Sequence, residues 1–279
     1  VTKRLIRIGH SPDPDDAFMF YAMTHGKLEA LPFDIIHQLE DIETLNRRAL
    51  RGELEVSAVS IHAYAHLTGR YALLRSGASM GDRYGPMLVT KQPFDRQAVP
   101  RKRIAVPGTL TTAFLVLSLY SPAPLNYTIL PFDRIIDAVV DEIVDAGLII
   151  HEGQLTYQNR GLSLVVDLGA WWMEETGCPL PLGGNVVRKD LGPTVMHDLA
   201  RLLRDSIRYG LEHRREALDY AMQFARDMSR DLADRFIAMY VNDWTLDYGP
   251  RGQEAVRLLI DRGVHAGLIP GPVEIEFVA

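Results

Sequence analysis

Apolar residues fall into short runs alternating with helical stripes from the start of the chain to about Arg188. Leu5, Ile6 and Ile8 predict a strand, and Phe18, Met19, Tyr21, Ala22 and Met23 give a helix from about Ala17 to Gly26 a broad apolar face. Between them stands Ser11-Pro12-Asp13-Pro14-Asp15-Asp16, where Asp15 or Asp16 is expected to cap the orphan amides of that helix. A strand at Phe33–Gln38 leads to Glu40–Thr44, which opens a helix closed by Gly52. Val56–Ser60, Tyr71–Arg75 and Met87–Thr90 read as further strands, the last two flanking a flexible loop, Gly77–Gly85.

The polar stretch Lys91–Lys102 contains Pro93 and Pro100 and suits a hinge. Beyond it the pattern restarts, with strands at Arg103–Val106 and Tyr127–Pro131 and helices at Ala113–Tyr120 and Ile135–Asp145. An apolar strand then ends at His151, followed by a strand Leu164–Asp167, a helix Leu168–Thr176, a loop Pro179–Gly184 and a strand Asn185–Arg188. Helices near 193–212, 214–228, 231–241 and 250–266 complete the chain. Strands alternating with helices predict parallel pairing with helical crossovers. The result is an α/β protein of two lobes around a central cleft. Residues 1–91 with 189–279 are expected to form lobe one, and 92–188 lobe two. Two crossings close together let such a cleft open and shut on a ligand.

Composition narrows the partners. A chain of 279 residues with 47% hydrophobic and 24% charged positions is ordinary for a globular enzyme. A formal charge of −6 provides no general attraction to nucleic acid or to anionic lipid, so neither is expected as a partner. An anionic ligand would have to be held by local dipoles and single residues. The single cysteine, Cys178, excludes an internal disulfide and a cysteine metal cluster. No apolar run has the length of a membrane span or a signal-peptide core, which makes a cytoplasmic location the expectation. His62-x-x-x-His66 lacks a third ligand, and no phosphate-binding loop, nucleophile elbow or dinucleotide fingerprint occurs. Neither a metal nor a cofactor is expected.

The strongest candidate chemistry is Gly147-Leu148-Ile149-Ile150-His151-Glu152-Gly153. It delivers an imidazole to the carboxyl end of a buried strand, where open α/β sheets place ligands. Histidine both takes and gives protons near neutral pH. Glu152 either orients that ring or caps the turn, with capping slightly favoured. Thr109-Leu110-Thr111-Thr112-Ala113 puts hydroxyls and consecutive amides at the start of an apolar helix, a neutral seat for an anion. Ser57, Ala58, Val59 and Ser60 end a strand facing the expected cleft, and Ser11 sits beside a helix amino end. Arg83 reads as an exposed arginine, and Trp171-Trp172 as core or lobe-interface residues.

Ser11-Pro-x-Pro-x-Asp16, Glu40–Asn46, Thr111-Thr112, Gly147–Glu152 and Val165–Trp172 with Pro179–Gly183 occur in order. Together they closely resemble the 1,4-dihydroxy-6-naphthoate synthases of the futalosine route to menaquinone. The resemblance implies a two-lobed fold like that of type II periplasmic binding proteins. It also implies a lyase converting cyclic dehypoxanthine futalosine to the bicyclic naphthoate with loss of a three-carbon fragment. His151 matches that family's proton acceptor, Thr111 and Thr112 its substrate-contacting pair, and Ser57–Ser60 its first-lobe substrate loop. Departures are Ala58 where relatives often carry lysine, Pro-Asp-Pro-Asp-Asp where they usually carry Pro-Cys-Pro-Asn-Asp, and Gly81-Asp82-Arg83 where Gly-Arg-Gly is often found. The alternatives are a chorismate dehydratase of the same pathway and a non-catalytic solute-binding protein for a small carboxylate. A small-molecule carboxylate is the expected partner, in a monomer or a homodimer.

Overall fold

The computed structural model describes residues 3–28, 33–225 and 228–279. Its strands are β1 (Arg4–His10), β2 (Phe33–Leu39), β3 (Val56–Ser60), β4 (Tyr71–Leu74), β5 (Ser79–Gly81), β6 (Met87–Thr90), β7 (Arg103–Val106), β8 (Asn126–Ile129), β9 (Ala146–Ile149), β10 (Ser163–Asp167), β11 (Leu180–Arg188) and β12 (Phe277–Val278). They form two sheets, ordered β12-β4-β11-β3-β1-β2, with β5 added on β11, and β10-β6-β9-β7-β8. The parallel pairing expected from strand–helix alternation holds for β1 with β2 and β3, and for β7 with β8 and β9. The remaining central pairs, β11 with β3 and β4 and β6 with β9 and β10, run antiparallel. Both sheets are therefore mixed.

Sheet membership shifts the crossings. Met87–Thr90, expected at the end of lobe one, hydrogen-bonds along β9 and β10 of the second sheet. Asn185–Arg188, expected in lobe two, belongs to β11, which fills the first sheet between β3 and β4. The chain thus changes sheet before Met87 and again before Leu180, rather than at 91 and 188. The Pro179–Gly184 loop is largely strand as well. Pro181 is accommodated where the β11–β5 register slips between Pro181 and Gly183, a position that tolerates a residue without an amide proton.

The helices at Pro193–Glu212 and Leu168–Thr176 match expectation closely. The expected 214–228 helix runs Arg214–Ala221 with a short 3-10 turn after it, and its residues 226 and 227 lie outside the described residues. The Ile135–Asp145 helix stops at Val140, where the chain turns through a left-handed Glu142 (φ 58°) and leaves Ile143 exposed. The loop Gly77–Gly85 contains β5 and is pinned. A Cβ placed on Gly169 would lie 1.9 Å from the Tyr84 carbonyl oxygen, so only glycine lets the Leu168–Thr176 helix approach that backbone. Arg83 is exposed, as expected.

The largest apolar cluster takes Val59 and Leu73 from the first sheet and Leu88, Ile104, Val106 and Leu148 from the second. No helix among the described residues is long and apolar enough to cross a membrane.

A buried aromatic group under β1 carries a pH consequence. His10 stacks on Phe20 with ring centroids 4.3 Å apart, and its Nδ1 lies 3.1 Å from the Ser11 carbonyl oxygen. A carbonyl only accepts, so His10 Nδ1 bears the proton and its Nε2 accepts from His37 Nδ1 at 3.1 Å. Burial, with His37 nearby, pushes His10 down to about 3, and burial alone pushes His37 down to about 4. In the unfolded chain both titrate near 6.5, so below that pH the unfolded state binds more protons. Their contribution to stability is complete above pH 6.5 and is lost as pH falls towards 4. Asp16, raised to about 6 by burial, opposes this, because the folded state takes up its proton first. The histidine part is therefore read by difference. The loss of unfolding midpoint from pH 7 to pH 4 should be smaller in His37→Gln than in the wild type. Parallel curves would exclude this pair from acid sensitivity.

Candidate functional site

Between the two sheets lies a cavity that is partly open to solvent. Met19, Ile42, Pro86, Ile150, Leu182 and Phe236 make its walls largely apolar. Its polar side chains include Ser11, Asp15, Ser60, Thr111, Thr112, His151 and Asn185. Among the described residues lining it, none is a lysine or an arginine.

His151 follows β9 with its backbone in the left-handed region, at φ 60°. Such a conformation is uncommon for a non-glycine residue and tends to cluster at functional sites. The turn aims the ring into the cavity. Its Nδ1 lies 3.3 Å from Asp13 Oδ2, and its edge meets the Phe132 ring with centroids 4.8 Å apart. Glu152 precedes the short helix Gly153–Thr156 without a side-chain capping bond, so the favoured capping role is not observed.

The helix Thr112–Tyr120 presents its amino end to the cavity. Both threonine hydroxyls already have partners. Thr111 Oγ1 donates to the Gly108 carbonyl at 2.8 Å and accepts from the Phe114 amide at 3.2 Å, an ordinary N-cap. Thr112 Oγ1 donates to the Leu182 carbonyl at 2.6 Å and accepts from the His62 amide at 3.2 Å. The second hydroxyl thus ties the helix to β11 and to the turn after β3, across the halves of the molecule. What remains to meet an anion is the helix amino end itself. Leu110 makes a further cross-half contact, donating its amide to Glu43 Oε2 at 3.3 Å.

Ser60, Ala58 and Val59 line the cavity. Ser60 is held by Asn46, whose Oδ1 accepts from the Ser60 amide at 2.8 Å and whose Nδ2 donates to the Ser60 hydroxyl at 3.1 Å. Ser57 departs from expectation. It is fully buried, bonds the Ala58 carbonyl at 3.0 Å and does not line the cavity. Its side chain turns instead towards Gly9 on β1. Ser11 lines the cavity, and its amide donates to Asp16 Oδ2 at 2.6 Å.

Capping of the first helix by Asp15 or Asp16 is also corrected. The helix begins at Pro14, so both acids sit inside its first turn, and the N-cap position falls to Asp13, without a side-chain capping bond. Asp15 lines the cavity, and its Oδ1 is buried with no hydrogen-bond partner among the described residues. Burial, then the carboxylates of Asp16 and Asp13, push Asp15 well above the usual carboxylate range. A neutral Asp15 presents both a donor and an acceptor to an occupant.

Several lining residues escaped the sequence reading, three of them of note. Tyr240 and Phe236 reach the cavity from the helix Arg230–Tyr240, and the Tyr240 hydroxyl donates to Gln154 Oε1 at 2.8 Å. Their apolar spacing alone marks only a packed face. Asn185 donates to the Gly77 carbonyl at 3.1 Å and keeps a buried Oδ1 without a partner among the described residues. The tryptophan pair stays out of the cavity, as expected of core residues. His62 and His66 lie with ring centroids 5.6 Å apart, and among the described residues no group of three His, Cys, Asp or Glu side chains could hold a metal.

Comparison with known proteins agrees with this architecture. A curated 1,4-dihydroxy-6-naphthoate synthase of Thermus thermophilus is 44% identical, covering 96% of this chain and 97% of that protein. Another, of Streptomyces coelicolor, is 36% identical over 98% of each. A crystal structure from Archaeoglobus fulgidus superposes with a TM-score of 0.91 at 49% identity, covering 95% of this chain and 98% of that one. The alkanesulfonate-binding protein of Xanthomonas axonopodis pv. citri shares the fold, with a TM-score of 0.72 at 13% identity over 98% of this chain and 96% of its own. The fold is the two-lobed type II periplasmic-binding-protein-like architecture with a central cleft. The menaquinone biosynthesis family matches residues 6–265, and the chain belongs to that family of enzymes.

Proposed function

We propose that the protein is a carbon–carbon lyase that converts cyclic dehypoxanthine futalosine to 1,4-dihydroxy-6-naphthoate, with His151 as general base. The names of two curated relatives matched along nearly their whole length support the reaction. The observation that carries the reading is the placement of His151, in a left-handed turn at the end of β9, with its ring on the wall of the cavity between the sheets.

In this reading the substrate carboxylate sits at the amino end of the Thr112–Tyr120 helix, where the dipole replaces an absent cation. Ser60, fixed by Asn46, holds the sugar-derived portion from the other side. The apolar walls strip water from the reacting centre and strengthen each electrostatic contact within it. His151 takes a proton from the substrate, and formation of the aromatic ring drives carbon–carbon cleavage.

Incubation of the purified protein with the cyclic futalosine derivative should release naphthoate, followed by its absorbance, while chorismate is left unchanged. Dehydration of chorismate instead would make the protein a chorismate dehydratase. Tight binding of a small carboxylate with no turnover of either compound would make it a solute-binding protein.

A further inference from the structure

We propose that Asp13 positions the His151 imidazole, so that the base is completed by a residue from each half of the molecule. This inference rests on the reading of His151 as the base. Asp13 lies in the loop after β1 and its side chain is only 4% exposed. Its Oδ2 stands 3.3 Å from His151 Nδ1. His151 lines the cavity and Asp13 does not, so the carboxylate approaches the ring from behind. Phe132, from the second half, meets the same ring with planes inclined at 63°. The imidazole is thus bracketed by the Phe132 ring from its own half and a carboxylate from the other.

A carboxylate only accepts, so it favours the tautomer with the proton on Nδ1. That leaves the Nε2 lone pair for the ligand. In the proton transfer, a bond from hydrogen to the substrate breaks, its electron pair stays on the substrate, and an Nε2–H bond forms. The resulting imidazolium faces Asp13, which stabilises it without itself taking the proton.

Asp13→Asn should lower kcat on the order of 100-fold with little change in KM, because the amide no longer enforces the tautomer. Asp13→Glu should restore part of the rate. In the wild type without ligand, ring nitrogen chemical shifts should report a proton on His151 Nδ1, a readout that needs no variant to fold. A wild-type rate in Asp13→Asn, beside an inactive His151→Asn, would overturn the role of Asp13 and leave the base in place. So would a ring protonated on Nε2 alone. A fully active His151→Asn would instead remove the base, and this inference with it.

Discussion

Turnover by His151→Asn should fall by about 100- to 10,000-fold, the range general-base assistance supplies. Asparagine is the informative replacement because it tolerates the left-handed region better than other residues without an imidazole. The backbone at φ 60° therefore keeps its course, and the acid–base group alone is lost. The amino end of the Thr112–Tyr120 helix, Ser60 and the apolar walls are untouched, so the thermal shift caused by ligand should stay close to that of the wild type. Steady-state kinetics and a melting curve with and without ligand make the check. Undiminished turnover would exclude His151 from the chemistry, whereas loss of the thermal shift would make it a binding residue.

Trp172→Ala should produce the opposite pattern. The indole is 2% exposed and belongs to the apolar cluster shared by both sheets, yet it stays clear of the cavity. Its neighbour Trp171 packs edge-on to Tyr120 at 5.3 Å, beneath the Arg96 guanidinium. Truncating a buried tryptophan typically costs about 3–5 kcal/mol, from lost burial and the void left behind. For a chain of this size that corresponds to a fall in Tm of roughly 6–20 °C. Below the new midpoint, the folded fraction should keep its kcat and KM. A change in KM larger than the change in stability would place the indole in ligand recognition instead.

Legibility of the fold in the sequence followed the strength of its local signals. The Pro193–Glu212 helix carries a clear apolar period and a proline at its start, and the Leu168–Thr176 helix a capping Asp167. β11 was hidden because Pro and Gly between residues 179 and 184 carry turn signals, and only the partner strands reveal that they extend a ladder. The Ile135–Asp145 stripe misled in the other direction, since Ile143 fits a helical period but points to solvent. In the site, His151, Ser60 and the Thr111–Thr112 pair were legible as polar groups at element ends. Asp13 was read only as part of an acidic turn, because its partner is far along the chain and in the other sheet. Ser57 differs from Ala58–Ser60 because it lies further down β3, where its hydroxyl packs against Gly9 of β1.

β11 lies between β3 and β4 in space but follows the entire second sheet along the chain. During synthesis β3 and β4 emerge early and have no neighbour between them until Leu180–Arg188 is made. By then every strand of the other half is already available, so the half begun first is the half finished last. Contacts this distant in sequence slow the final closure of a sheet, and here that delay falls on the very strands that frame the cleft.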